Sequence, residues 1–355
     1  MPQRCPKGSR RKPPKTGKCV KNNKKTSKKK CPANKLLNPK TNRCINDTKL
    51  NRKKIGKTSP IKSSSVQKII TKACSTYNNL KAVDLSKVKY TGTTFGKFNL
   101  SFNSTPLTDI KYINEGTYGK VYLYGKGDIQ IAVKTYKYPD DEEIDIIQML
   151  NSKKISCNTV NTKLIRLPGE YISIMDIMSG SLDKMKGKLT LPDIYKTVKE
   201  IAKNLNCLNK NNLSYTDLKT ANVLFKCHDK KYIKTSLGDL GGICNRGANH
   251  IATWPPYEFK DDEGTVLCNE KTMVWGLGII ILELLNVNVN RFHWSMIHGE
   301  TSESINRYID RICMMKQLNS IKLKRKMTGD KLLIKMLDID PRKRIGLQTI
   351  IKYIK

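Results

Sequence analysis

Tyr215-Thr216-Asp217-Leu218-Lys219-Thr220-Ala221-Asn222-Val223-Leu224-Phe225 sets a carboxylate, an amine two residues later and a carboxamide five residues later directly before an apolar run that reads as a strand. Seventeen residues beyond Asn222 comes Leu237-Gly238-Asp239-Leu240-Gly241, a second acid in a glycine-flanked turn. Either stretch alone is an ordinary polar turn. Their order and separation make two unrelated turns a poor account of them.

Upstream, Ile113-Asn114-Glu115-Gly116-Thr117-Tyr118-Gly119-Lys120-Val121 lies between strand-like runs, and its glycines let backbone N–H groups approach a phosphate. Ile129 to Val133 alternates like a strand and leads into Lys134. Asp140 to Glu143 follow Pro139, a placement that acids favour at any helix N-terminus, and Glu143 opens an apolar helical pattern. Downstream, Ile194, Val198, Ile201, Leu205 and Leu208 step along one helix face, whereas Trp275 to Leu285 is apolar on every side and suits a buried helix. Strands therefore precede helices, the order of an α+β chain with a small sheet-rich lobe followed by a larger helical lobe.

Taken together, these motifs resemble the protein kinases. The resemblance implies a bilobal kinase fold, ATP and Mg²⁺ as cofactors, and a protein substrate. Ile113 to Val121 would cover the ATP phosphates, with Asn114 where the family has its first glycine. Asn tolerates unusual backbone angles better than most residues. Lys134 would neutralise phosphate charge, with Glu143 as its partner. Met175 would be the gatekeeper, with Asp176 to Met178 facing adenine. Asp217 would orient the acceptor hydroxyl and take its proton, Lys219 would stabilise the moving phosphoryl group, and Asn222 and Asp239 would hold Mg²⁺. Pro255-Pro256-Tyr257-Glu258 resembles the end of an activation segment, whose Glu would pair with Arg344 of Asp340-Pro341-Arg342-Lys343-Arg344. The Asp-Leu-Lys form resembles the Ser/Thr branch.

Three departures stand out. Tyr215 and Thr216 replace His-Arg, and the missing Arg is the family's ligand for a phosphate on the activation segment, so control by such phosphorylation is not expected. Met273 stands where the central helix carries an Asp that braces the catalytic loop. This keeps a second reading open, a pseudokinase acting as an adaptor. The complete set Lys134, Asp217, Asn222 and Asp239 argues for the enzyme.

The formal charge is +37, and it is unevenly placed: residues 1–70 hold 23 Lys/Arg against one acid, Asp47. Such a segment repels itself, buries little and reads as a flexible basic arm attracted to polyanions. It contains no Phe, Trp or Tyr. A third reading, as a packaging protein that stacks on bases, therefore lacks its aromatic platforms. Cys5 to Val20 and Cys31 to Ile45 repeat one pattern: both open Cys-Pro and close Pro-Lys-Thr, Gly or Asn, a basic residue, Cys, and Val or Ile. The second is one residue shorter between its cysteines. Cys5, Cys19, Cys31 and Cys44 leave metal binding and disulfides both open, although the spacing is wide for zinc. The repeats resemble the two-cysteine adaptor module of large nucleocytoplasmic DNA viruses. Beside a kinase-like region they imply an iridovirus-like Ser/Thr kinase of the host cytoplasm or the virion, with the nucleus open to its Lys-rich arm, and a viral or polyanionic partner for that arm.

The expected organisation is a basic arm over 1–50 with repeats at 5–20 and 31–46, a linker and N-terminal extension over 51–106, and a kinase domain over 107–355. No apolar run reaches the roughly 18–20 residues of a membrane span. Met273 to Leu285 is interrupted by Gly276, Gly278 and Glu283. With no signal-peptide core and an odd total of 11 cysteines, a reducing intracellular setting is expected.

Overall fold

The computed structural model describes the backbone of 9–12, 18–21, 35–38 and 43–46. It also describes 83–354, apart from short breaks at 95–96, 117–118, 137–140, 156, 169, 229–230, 259–263, 294–301 and 314–328. The chain divides into two compact units, Met1–Ile61 and Lys62–Lys355.

In the first unit each cysteine repeat contains a two-stranded antiparallel hairpin. β1 (Ser9–Lys12) pairs with β2 (Lys18–Lys21), setting Arg11 opposite Cys19. β3 (Lys35–Asn38) pairs with β4 (Arg43–Asn46), setting Leu37 opposite Cys44. The residue by which the second repeat is shorter is lost from the connection between its strands. Cys5 and Cys31 lie outside the described residues.

The second unit opens with a seven-stranded antiparallel sheet. It comprises β5 (Val88–Thr94), β6 (Lys97–Phe102), β7 (Thr105–Gly116), β8 (Gly119–Lys126) and β9 (Ile129–Tyr136), then helix α1 (Asp141–Ser152), then β10 (Thr162–Leu167) and β11 (Glu170–Asp176). The strand order is β10-β11-β9-β8-β7-β6-β5. Successive strand side chains face opposite ways, and β9 is buried on both faces. Ile131 and Val133 pack with Ile172 and Ile174 on one side, and Ala132 packs with Leu123 and Ile177 on the other. The Ile131 face is covered by Val83, Leu85, Val88 and Leu100. These lie in the segment read from sequence as linker and N-terminal extension, of which 83–106 is integral to the sheet. Lys163 of β10 fastens it, its Nζ donating to the carbonyls of Val88 at 2.7 Å and Ser86 at 3.3 Å.

Beyond the two-residue strand β12 (Gly180–Ser181) the chain turns helical. In α2 (Leu191–Lys210) Thr190 caps the first turn by accepting from the Asp193 N–H, and the stripe read from sequence, Ile194 to Leu208, is buried. β13 (Leu213–Tyr215), β14 (Val223–His228), β15 (Lys231–Leu237), β16 (Ile243–Asn245), β17 (Asn249–Ile251) and β18 (Thr265–Leu267) carry the loops of the site. The central helix α3 (Glu270–Leu284) is buried from Thr272 to Leu284, as its unbroken apolarity requires. It approaches the Asp217 loop so closely that a Cβ on Gly276 would come within 2.9 Å of Leu218. α4 (Ser302–Cys313), α5 (Gly329–Met336) and α6 (Leu347–Tyr353) complete the lobe.

Cysteines 157 and 207, and 244 and 268, are joined as disulfides, where the sequence reading expects reduced thiols. The partners are 50 and 24 residues apart, so tertiary packing alone brings them together. No helix among the described residues is long and apolar enough to cross a membrane.

Candidate active site

β9 carries Lys134 to the inner face of the sheet, and α1 presents Glu143 against it. Lys134 Nζ donates to Glu143 Oε2 at 2.6 Å, with side-chain exposures of 12% and 4%, and lies 3.5 Å from Asp239 Oδ1. An acid at a helix start is ordinarily a solvated dipole partner. Glu143 is instead buried, and it holds α1 to the sheet through a charge-assisted bond.

The loop between β13 and β14 is tied to itself and to the segment after Asp239. Asn222 Nδ2 donates to the Asp217 backbone carbonyl and to Oδ2, both at 3.0 Å, so neither bond uses the amide oxygen. Lys219 Nζ donates to Asp217 Oδ2 at 2.7 Å and to Thr253 Oγ1 at 3.1 Å. Thr253 gives Asp217 Oδ1 both its hydroxyl, at 2.6 Å, and its N–H, at 3.2 Å. Burial pushes the Asp217 carboxyl up, but the Lys219 charge and the hydrogen bonds from Lys219 and Thr253 outweigh it and hold the group below the usual carboxylate range.

Asp239 adopts a left-handed backbone, φ 50° and ψ 72°, uncommon for a residue with a side chain. Tyr215, the residue in the His position, holds this turn: its hydroxyl donates to the Gly238 carbonyl at 2.5 Å and the Asp239 carbonyl at 3.3 Å. Burial first, and then the Asp239 and Asp217 charges, push the phenol well above its ordinary range, so it stays a donor. Tyr215 thus braces the Asp239 turn from the catalytic loop.

Helix α3 braces the loop by another route. Met273 cannot, but Glu283, two to three turns further along and buried, accepts from the Thr220 N–H at 2.9 Å and from Lys186 Nζ at 2.7 Å. The Arg344–Glu258 pair forms as read from the motifs: two parallel bonds of 2.8 Å each, with the Arg side chain 0% exposed and stacked 5.1 Å above the Trp275 ring. Removing one member of such a buried pair typically costs about 3–5 kcal/mol.

The stretch read as a glycine loop spans the ends of β7 and β8. On β7 and β8, Asn114 faces Val121, Glu115 faces Lys120 and Gly116 faces Gly119. Ile113 is exposed on β7, and Thr117 and Tyr118 lie outside the described residues. Gly119 is fixed by packing as well as by any ligand, since a Cβ there would come within 1.8 Å of the Thr135 carbonyl oxygen. Val121, Ala132 and Met175 gather on one apolar surface, suited to a flat ring. Asp176 and Met178 behave differently. They line a separate cavity of about 490 Å³ together with Asn161, Lys226 and Ser236, and none of the glycine loop, Lys134, Asp217 or Asp239 lines it. Burial raises the Asp176 carboxyl, with Lys226 and Asn161 opposing.

Two residues of the site were not singled out from sequence. Glu283 read only as an interruption of an apolar run. Thr253 carried a faint signal, being one of only two hydroxyl residues between Asp239 and Glu258.

The chain belongs to the protein kinase family: the protein kinase domain matches residues 107–353, well over half of its length. The fold is therefore the α+β bilobal kinase fold, and the class of protein is a phosphotransferase acting on protein. No curated protein matches the chain.

Proposed function

We propose that this protein is an active Ser/Thr kinase that transfers the ATP γ-phosphoryl group with the residues assembled above. The observation that carries the reading is the 2.6 Å Lys134–Glu143 pair with Asp239 beside it, a contact that forms only with α1 seated against the sheet. Lys134 would meet the ATP phosphates, and the β7–β8 turn would cover them. Asn222 and Asp239 offer oxygen ligands suited to Mg²⁺, which would neutralise phosphate charge when bound. Asp217, ionised and aimed by Asn222, Lys219 and Thr253, would accept the substrate hydroxyl proton. Lys219 reaches Asp217 and Thr253 at once, which supports a loop shaped for Ser and Thr acceptors.

Met273 and Thr216 motivate the pseudokinase alternative, and the braces from Glu283 and Tyr215 argue against it. We further infer that the arm, with its two hairpins, delivers the kinase to a viral or polyanionic partner in host cytoplasm or virion. In an assay with labelled ATP, Mg²⁺ and a mixed protein substrate, acid hydrolysis should release phosphoserine and phosphothreonine. Phosphotyrosine alone would overturn the Ser/Thr assignment, and no transfer by folded protein would favour the pseudokinase.

A further inference from the structure

The segment from Asp239 to Glu258 offers phosphorylation almost nothing. Its hydroxyls are Thr253 and Tyr257. The Thr253 hydroxyl is bonded to Asp217, and the Tyr257 ring packs against the core of the helical lobe. At the position of the missing Arg, Thr216 points its hydroxyl at an imidazole: Oγ1 lies 2.8 Å from His250 Nδ1.

We propose that His250 is a positioning residue that does by side-chain contact what a phosphorylated residue would otherwise do, clamping the activation segment to the catalytic loop and to α1. His250 lies on β17 with its side chain 15% exposed. Its Nδ1 is 2.9 Å from the Ile251 carbonyl as well as 2.8 Å from Thr216, and its Nε2 faces Glu142 Oε2 at 3.7 Å. The two ring nitrogens thus face opposite ways, Nδ1 to the Thr216 hydroxyl and the Ile251 carbonyl, Nε2 to the Glu142 carboxylate. Two of the residues it meets immediately precede a member of the site. Thr216 comes before Asp217, and Glu142 comes before Glu143, the partner of Lys134. One side chain therefore ties the loop that carries the base to the helix turn that positions the lysine. An imidazole needs no second enzyme to install it, so the clamp is present from folding onward.

This inference rests on the kinase reading, and the test separates the two. Activity in wild type and its loss in Asp217→Asn establish the enzyme. Given that, His250→Ala should lower kcat on a short peptide about tenfold, the scale of losing one hydrogen bond, with the melting temperature and peptide KM unchanged. Glu142 is 80% exposed, so Glu142→Gln should fold normally and lower kcat by only about threefold. The double variant should be no slower than His250→Ala, because the carboxylate acts through the ring. Phosphatase-treated wild type should keep its kcat. Wild-type kcat in His250→Ala, fully multiplicative effects in the double variant, or silencing by phosphatase would each overturn the inference. If His250→Ala does not fold, Glu142→Gln and the phosphatase arm decide it.

Discussion

The hydroxyl of Thr253 donates to Oδ1 of Asp217 at 2.6 Å across 36 residues of chain, while Lys219 bonds to both. The segment after Asp239 is thereby fastened to the carboxylate proposed as the proton acceptor. Thr253→Val keeps the shape and removes the hydroxyl, and should lower kcat by about ten- to a hundredfold. Thr253→Ser should retain most of it. Steady-state kinetics on a peptide decide the matter, and a Val variant at wild-type turnover would remove Thr253 from the site. Phosphate on Thr253 would set about two negative charges beside Asp217, so it should inhibit rather than activate.

The same contacts govern pH dependence. Asp217 is held below the usual carboxylate range, so it stays ionised, and competent as a base, as pH falls through that range. A profile of kcat/KM between about pH 5 and 8 should show no acid limb owing to Asp217. Lys219→Met removes a charge and a hydrogen bond that both lower the Asp217 carboxyl, and should move the limb upward. Superimposable profiles for the two proteins would contradict this assignment.

Residues 83–102 should contribute to stability where residues 1–75 do not. A chain beginning at residue 76 retains the whole described sheet and should melt as the full protein does. Leu100, 2% exposed under the outer sheet face, should cost about 2–5 kcal/mol when changed to Ala. Urea denaturation measures both, and a Leu100→Ala loss below about 1 kcal/mol would return this hairpin to the status of a linker.

What was legible in the sequence was what local spacing encodes. Asp217 to Asn222, the turn at Asp239 and the Glu258–Arg344 pair were marked by short motifs, and the α2 stripe by period. The β5–β6 hairpin carried a signal too, since Phe98, Leu100 and Phe102 alternate with polar residues. Gly92, Gly96 and the threonines between them resemble a linker, and only the facing surface of Ile131, Ile172 and Ile174 makes those strands necessary. Glu283 and His250 had no local signature. A buried carboxylate on an apolar helix and a lone histidine acquire roles only when the fold brings Thr220, Lys186, Thr216 and Glu142 to them. The paired cysteines were hidden for the same reason.

The measurement closest to the central claim is transfer of labelled γ-phosphate from ATP to peptide by the full chain, wild type against Asp217→Asn. The wild type should turn over in Mg²⁺. The variant, unchanged in size and folded by its melting curve, should lose about two to four orders of magnitude in rate, the scale of a lost general base. Equal turnover by the two proteins would show that the loop from Tyr215 to Asn222 does not carry the chemistry.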